Sequence, residues 1–296
     1  MKNTNSLKPV ELPEIFQLEL TNVCNLNCTI CPHSMMKRPQ GYISFDLIRK
    51  IVERDVGNTN IIGLHLLGES LLHPQFVEIV EYLGKHGIDT ELATNATVLT
   101  KDLSEKIVKS GIKTIWFSFD GSTKKEYESI RRGADFDKVI KNIRQFLEIN
   151  KKNGNKVHTI VQMVNVQKTA TEKKDFIKFW KDSGATEVKV KFLDSWAGTL
   201  FNDIINQPKR KRTPCEEPWK RVAVLYNGDV VPCCRDWNGA CVYGNLNKNS
   251  LLEIWNGEIV ARLRKEMLSN KYKSEPCKSC KEWHITMNRM IHKKEK

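Results

Sequence analysis

The run IFQLELTNVCNLNCTICP, residues 15–32, decides how the rest of the chain is read. Its first seven residues read as a strand, and three cysteines follow within eight residues, Cys24, Cys28 and Cys31, spaced C-x3-C-x2-C. A structural zinc site wants four ligands, and disulfides consume thiols in pairs. Three thiols at a strand end leave one coordination position for something else.

Outward from this run the pattern repeats. Apolar runs at 15–21, 61–68, 90–95, 114–120, 157–166 and 187–193 read as six strands. Helical periodicity lies between them, as in DLIRKIVER, where Leu47, Ile48, Ile51 and Val52 share a face. Gly87, Gly111, Gly154 and Gly184 stand where left-handed helix caps are wanted. Strands alternating with helices imply parallel β/α units with right-handed crossovers, as an open sheet or a partial barrel. In either form ligands gather where strands end. Gly68-Glu69 ends the second strand, Asn95 the third, and Ser118 and Asp120 the fourth, so these polar residues are expected on one pocket rim with the three cysteines.

After Pro208 the texture changes. RVAVLYNGDVVPCC reads as a hairpin with a two-residue turn at Asn227-Gly228. One amphipathic helix is expected from about Ser250 to Leu268. All six remaining cysteines fall here: Cys215, Cys233, Cys234, Cys241, Cys277 and Cys280. The expected domains are 1–207, the β/α unit, and 208–296, a small unit with a thin apolar core held by its own inorganic centre.

The chain has 296 residues, nine of them cysteine, and a net charge of +13. No apolar run approaches the roughly eighteen residues of a membrane span. The start, MKNTNSLKPVELPE, lacks the apolar core of a secretory signal, so the expected setting is the reducing cytoplasm, with thiols as metal or cluster ligands. The positive charge reads first as solvated helix faces, and KRKR at 209–212 as a solvated linker.

With C-x3-C-x2-C after a first strand, the Gly-Glu of LLGES, the ATNA segment and the strand-end FSFDG, the chain resembles the radical S-adenosylmethionine (SAM) superfamily. The resemblance implies an α/β fold, a partial (β/α)6 TIM-like barrel. It implies that Cys24, Cys28 and Cys31 hold a 4Fe–4S cluster whose fourth iron is chelated by SAM, the source of a 5′-deoxyadenosyl radical. Carried over by position, Gly68 and Glu69 meet the methionyl amine, and Asn95, Ser118 and Asp120 the ribose or methionyl part. Leu67 stands where many relatives have glycine, and Ile30 where many have an aromatic residue. The competing reading of the motif is zinc completed by a distant His or Cys.

Cys215, Cys233 and the C-x2-C of Cys277 and Cys280 offer four ligands for a second centre, by spacing alone equally a zinc ribbon. Beside a radical domain they resemble the hairpin-plus-helix Twitch domain, the shortened form of SPASM. Cys280 is the last cysteine, so one auxiliary 4Fe–4S cluster is expected. Cys241 is read as a core residue.

Cys234 follows a ligand directly, so the backbone can aim it elsewhere. Radical epimerases of this broad family use a cysteine as hydrogen-atom donor, some in a similar Pro-Cys-Cys element. The expectation is therefore epimerisation of a polar small molecule, carbohydrate or cyclitol in type and compatible with a phosphate, with Cys234 as donor. A one-auxiliary-cluster relative, an aminocyclitol dehydrogenase, supports the alternative of oxidation, with the auxiliary cluster as electron acceptor. A peptide maturase is disfavoured because only about fourteen residues precede the first strand and such enzymes often begin with a peptide-binding domain. A zinc-bound nucleic-acid module is the remaining class, and no nucleic-acid partner is expected. The reductant implied is a flavodoxin- or ferredoxin-type carrier.

Overall fold

Side chains along each parallel strand alternate between a helical layer and a central cavity, and this period of two positions the site. The computed structural model describes residues 12–57, 59–165, 170–200 and 212–284. Its first six strands are β1 (Glu14–Leu18), β2 (Ile61–Gly63), β3 (Asp89–Thr94), β4 (Thr114–Ser118), β5 (His158–Asn165) and β6 (Glu187–Phe192). They pair in parallel in the order β6-β5-β4-β3-β2-β1. On β4, Ile115 and Phe117 enter the apolar core while Trp116 and Ser118 face the cavity. On β5, Val161 and Met163 do the first, and Gln162 and Val164 the second. The result is an α/β partial barrel.

Amphipathic helices cover the outer face. They are α1 (Phe45–Lys50), α2 (Phe76–Lys85), α3 (Lys101–Lys109), α4 (Lys124–Ile130), α5 (Phe136–Lys152) and α6 (Ala170–Asp182). Each of Ile79, Leu83, Ile107, Ile143 and Phe146 is fully buried, a contribution of about 1.5–3 kcal/mol per large side chain. The caps are local: Thr100 accepts from the Leu103 amide and Asp135 from the Lys138 amide. The four cap glycines have φ of +75°, +89°, +80° and +95°, as expected. Two features were not expected, α4 itself and a π-helical turn, Ile51–Asp55, that extends α1.

β7 (Arg221–Val224) docks in parallel against β1, so the sheet continues past the barrel strands into antiparallel β8 (Asp229–Val231) and β9 (Gly244–Asn245). The hairpin turn differs from the expected two-residue form. Leu225 and Asp229 still pair, and the Gly228 amide bonds to Leu225 O at 2.8 Å, closing a three-residue loop. Only Gly228 has positive φ, +89°, as a type I turn followed by a left-handed residue requires. The expected single helix is two, α7 (Leu251–Trp255) and α8 (Glu258–Leu268), interrupted at Asn256-Gly257. Ser250 and Glu253 form a capping box on α7.

The thin core expected after residue 208 is fuller than that. Trp255, Val260, Leu263 and Met267 join the same apolar cluster as the barrel helices. Any boundary at 207/208 lies outside the described residues, as does KRKR except for Arg212. Among the described residues no helix is long and apolar enough to cross a membrane.

Candidate active site

Cys24, Cys28 and Cys31 line one side of a cavity of about 560 Å³ at the ends of the barrel strands. Their loop is fixed from several directions. The Asn27 amide bonds to Arg132 O and the Thr29 amide to Ile130 O, tying the loop to the end of α4. Asn25 donates to Thr97 Oγ1 at 2.7 Å and accepts from Asn95 Nδ2 at 3.1 Å, tying it to the segment after β3. Trp196 Nε1 donates to Ile30 O at 3.1 Å.

Gly68 and Glu69 close the next side. A Cβ on Gly68 would stand 2.3 Å from Thr21 O and 2.7 Å from Val23 O, so only glycine lets this segment lie against the cysteine loop. The Glu69 amide then bonds to Val23 O at 2.9 Å. The buried Glu69 carboxylate accepts from Thr94 Oγ1 (2.8 Å) and from the amides of Asn95 (2.7 Å) and Leu71 (3.2 Å). Burial raises its pKa, and those three donors oppose the shift.

The other expected rim residues all face this cavity, with their own partners. The Asn95 side-chain oxygen accepts from the amide and hydroxyl of Thr97. Ser118 Oγ accepts from Gln162 Nε2 at 3.0 Å. Asp120 takes 2.6 Å hydrogen bonds from Arg131 Nη2 and from the Val164 amide, so both its oxygens are engaged inside the protein. Breaking so buried an ion pair costs about 3–5 kcal/mol.

Several cavity residues were not anticipated: Arg131, Lys191, Asp194 and Arg235. They come from loops and from inward positions of β6, where no short motif marks them. Lys191 is open to cavity water yet enclosed by protein, and that enclosure, more than any one neighbour, lowers its pKa. His65 shares this surrounding: burial, and then the Lys191 charge, push its pKa down to about 4.

The second group of thiols, Cys215, Cys233, Cys277 and Cys280, closes on a separate cavity of about 30 Å³, walled by Pro218, Pro232, Met267 and Trp283. Cys234 faces away from it, into the large cavity with Cys24, Cys28 and Cys31. Cys241 lines neither cavity and packs in the apolar core. Burial pushes the thiols up, Cys24 and Cys215 to about 11 and Cys31, Cys234 and Cys280 to about 12. Among the described residues no three Cys, His, Asp or Glu side chains converge on a point as ligands of a single ion do. Thiols spread around a cavity, and costly to ionise without a cation, fit a multi-iron group bound through thiolates.

Residues 18–172, more than half of the chain, match the model of the radical SAM superfamily, and residues 215–281 match that of SPASM, an iron–sulfur cluster-binding domain. The chain belongs to the radical SAM superfamily. It accordingly works with SAM and a 4Fe–4S cluster, and its SPASM domain adds an auxiliary iron–sulfur cluster. This membership sets aside the non-catalytic zinc-bound reading.

The tungsten-containing aldehyde ferredoxin oxidoreductase cofactor-modifying protein of Pyrococcus furiosus is 22% identical over 310 residues, 89% of this chain and 86% of that relative. Mycofactocin maturase MftC of Mycobacterium tuberculosis is 29% identical over 136 residues, 45% of this chain and only 34% of that protein's length. Among solved structures, BtrN in complex with AdoMet and 2-DOIA superposes with a TM-score of 0.60 at 21% identity, over 91% of this chain and 93% of that one. At that identity the likeness is one of fold.

Proposed function

We propose that this radical SAM protein inverts a carbon centre of a polar, anionic small molecule, of carbohydrate or cyclitol kind, bound in the 560 Å³ cavity. The observation that carries the reading is the division of two adjacent thiols: Cys233 faces the closed four-cysteine cavity and Cys234 the open one. Cys24, Cys28 and Cys31 hold the catalytic cluster, and Cys215, Cys233, Cys277 and Cys280 hold one auxiliary cluster. Bound there, the cluster and SAM supply a 5′-deoxyadenosyl radical that removes a hydrogen atom from the substrate carbon.

The chain's own residues do the remaining work. Glu69, preset by Thr94 and Asn95, receives the methionyl ammonium beside Gly68, and Asn95 and Ser118 line the nucleoside end. Asp120 acts with Arg131, as a pair that shapes the wall. Cys234 gives the hydrogen atom: its S–H bond breaks and a C–H bond forms on the opposite face of the carbon. The sulfur-centred radical left behind regains one electron from a flavodoxin- or ferredoxin-type carrier and one proton from water, which restores the thiol.

Lys191 favours an anionic substrate. Asp120 is committed to Arg131, and Asp194 to Arg235, so neither nearby carboxylate is dedicated to the Lys191 ammonium. A substrate phosphate or carboxylate would complete the pair.

The reading is tested in deuterated water with sugar phosphates, nucleotide sugars and neutral cyclitols. Epimerisation places one deuterium at the inverted carbon, and Cys234→Ala continues to form 5′-deoxyadenosine while the product stops. Normal labelled product from the variant removes Cys234 as donor. Turnover of neutral compounds alone removes the anionic substrate. The second reading is oxidation of the same carbon, its radical losing an electron to the auxiliary cluster and its hydroxyl proton to water. It draws support from Arg235, which lines both cavities and shows how near they lie. A product two hydrogens lighter, without deuterium, would establish it.

A further inference from the structure

Arg235 is the residue after the Cys233–Cys234 pair, and it borders both cavities. Its guanidinium is nearly sealed from solvent and bound on two sides. Nη2 lies 2.7 Å and Nε 3.1 Å from Asp194 Oδ2, and Nε lies 3.7 Å from Glu282 Oε2. The two carboxylates belong to different parts of the chain. Asp194 follows β6 in the barrel, and Glu282 follows the C-x2-C of Cys277 and Cys280.

The segment Asp194–Gly198 joins these parts. Trp196, Ala197 and Gly198 have φ of +51°, +58° and +83°, three consecutive left-handed residues, two of them not glycine. Such a turn costs about 1–3 kcal/mol per non-glycine residue and persists only where its surroundings over-determine it. Here they do. Asp194 Oδ1 accepts from the Trp196 amide (2.7 Å), and Ser195 Oγ from the Gly198 amide (2.8 Å). Glu282 Oε1 accepts from the Ser195 amide (2.8 Å) and hydroxyl (2.5 Å). Trp196 meanwhile holds Ile30 O, one residue before Cys31. One crossbar thus runs from the three-cysteine loop, through Asp194 and Arg235, to the four-cysteine site.

The charge falls in the same place. The Arg235 guanidinium lines the small cavity together with Cys215, Cys233, Cys277 and Cys280. A cluster held by four thiolates is anionic, and each electron it accepts adds negative charge. A fixed cation beside it therefore stabilises the reduced form more than the oxidised one.

We propose that Arg235 is a positioning residue shared by the two centres: its charge raises the reduction potential of the auxiliary cluster, and its bidentate hold on Asp194 keeps Cys233 and Cys234 turned to opposite cavities. This rests on the reading that Cys215, Cys233, Cys277 and Cys280 hold that cluster. The two parts separate by substitution, because lysine keeps the charge and loses the planar fork.

The test is an anaerobic redox titration, followed by electron paramagnetic resonance, of reconstituted full-length chain carrying Cys24→Ala, Cys28→Ala and Cys31→Ala, so that only the auxiliary centre contributes. Arg235→Gln is expected to lower its potential, and Arg235→Lys to leave it near the parent value. An unchanged potential in Arg235→Gln, or equal shifts in both variants, overturns the electrostatic part. Should Arg235→Gln fail to hold iron, Asp194→Asn decides: with the guanidinium kept and a negative partner removed, the potential rises, and no change overturns the proposal. The positioning part is read in chain with all its cysteines, from the rate at which a thiol reagent that enters the large cavity labels Cys234. Labelling slows several-fold in Arg235→Lys if Cys234 turns away, and an unchanged rate removes that part. A parent protein with no iron at Cys215, Cys233, Cys277 and Cys280 would instead sink the cluster assignment itself.

Discussion

The loop bearing Cys24, Cys28 and Cys31 faces a cavity of about 560 Å³, whereas Cys215, Cys233, Cys277 and Cys280 close on one of about 30 Å³. The first is rimmed by polar groups on successive strand ends and by a glycine that admits close backbone approach. The second is walled by proline, methionine and tryptophan, with the charged Arg212, Glu217, Arg235 and Glu282 among them. In the open cavity three thiols share one loop, with Cys234 apart from them, and there is room for another ligand and a substrate; in the closed one the four thiols and their walls leave room for little else. The two sites are not independent, since Arg235 stands between them.

The sharpest way to break this comparison is to remove each set in turn. Cys28→Ala is expected to abolish 5′-deoxyadenosine formation, to below one part in about a thousand, while the far-UV circular dichroism stays that of the parent, because Cys28 itself is not among the residues of the apolar core. Persistent SAM cleavage would break the assignment. Cys277→Ala together with Cys280→Ala is expected to lower iron from about eight to about four per chain, the content of two and of one 4Fe–4S cluster. SAM cleavage should survive that loss, and its disappearance would show that the closed site serves the open one directly.

Gly68→Ala tests the close approach. With a Cβ forced to 2.3 Å from Thr21 O, the segment that follows β2 must move away from the cysteine loop. The expected cost is about 1–3 kcal/mol of stability, with weaker SAM binding by equilibrium dialysis. Unchanged affinity would mean that this contact does not set the pocket.

The smallest expected effect concerns pH. His65 is held below its unfolded value of 6.5, at about 4, so its contribution is fully present above pH 6.5 and is lost as pH falls toward 4. Discounted for cavity water, that loss is about 2 kcal/mol. Between pH 7.5 and 5.5 the thermal midpoint of His65→Gln should fall less than that of the parent. Equal falls would place the histidine in a better-solvated setting.

Much of the barrel was legible because its signals are local. Each of the six strands falls on the run expected for it, β1 and β3 starting one residue earlier and β2 stopping at Gly63, and glycine caps and apolar stripes mark the helix ends. The parallel docking of β7 on β1 was not legible, since pairing across some two hundred residues leaves no trace in either strand. Nor was the break at Asn256-Gly257, where the apolar pattern of α7 runs on into α8. In the site, the cysteines and Gly68-Glu69 have recognisable spacing, and the structure brings the expected rim residues to one cavity. Arg131, Lys191 and Arg235 had none, because a cation's role depends on which carboxylates the fold sets beside it. Asp120 shows the reverse: its place at the strand end was readable, but its commitment to Arg131 was not.

The measurement that tests the central claim most directly is the iron and sulfide content of Cys234→Ala, reconstituted without oxygen beside the parent chain. With seven cysteines serving two clusters and Cys234 serving neither, both proteins should hold about eight irons. A fall to about four in the variant would make Cys234 a cluster ligand, and contradict its place as the thiol of the open cavity.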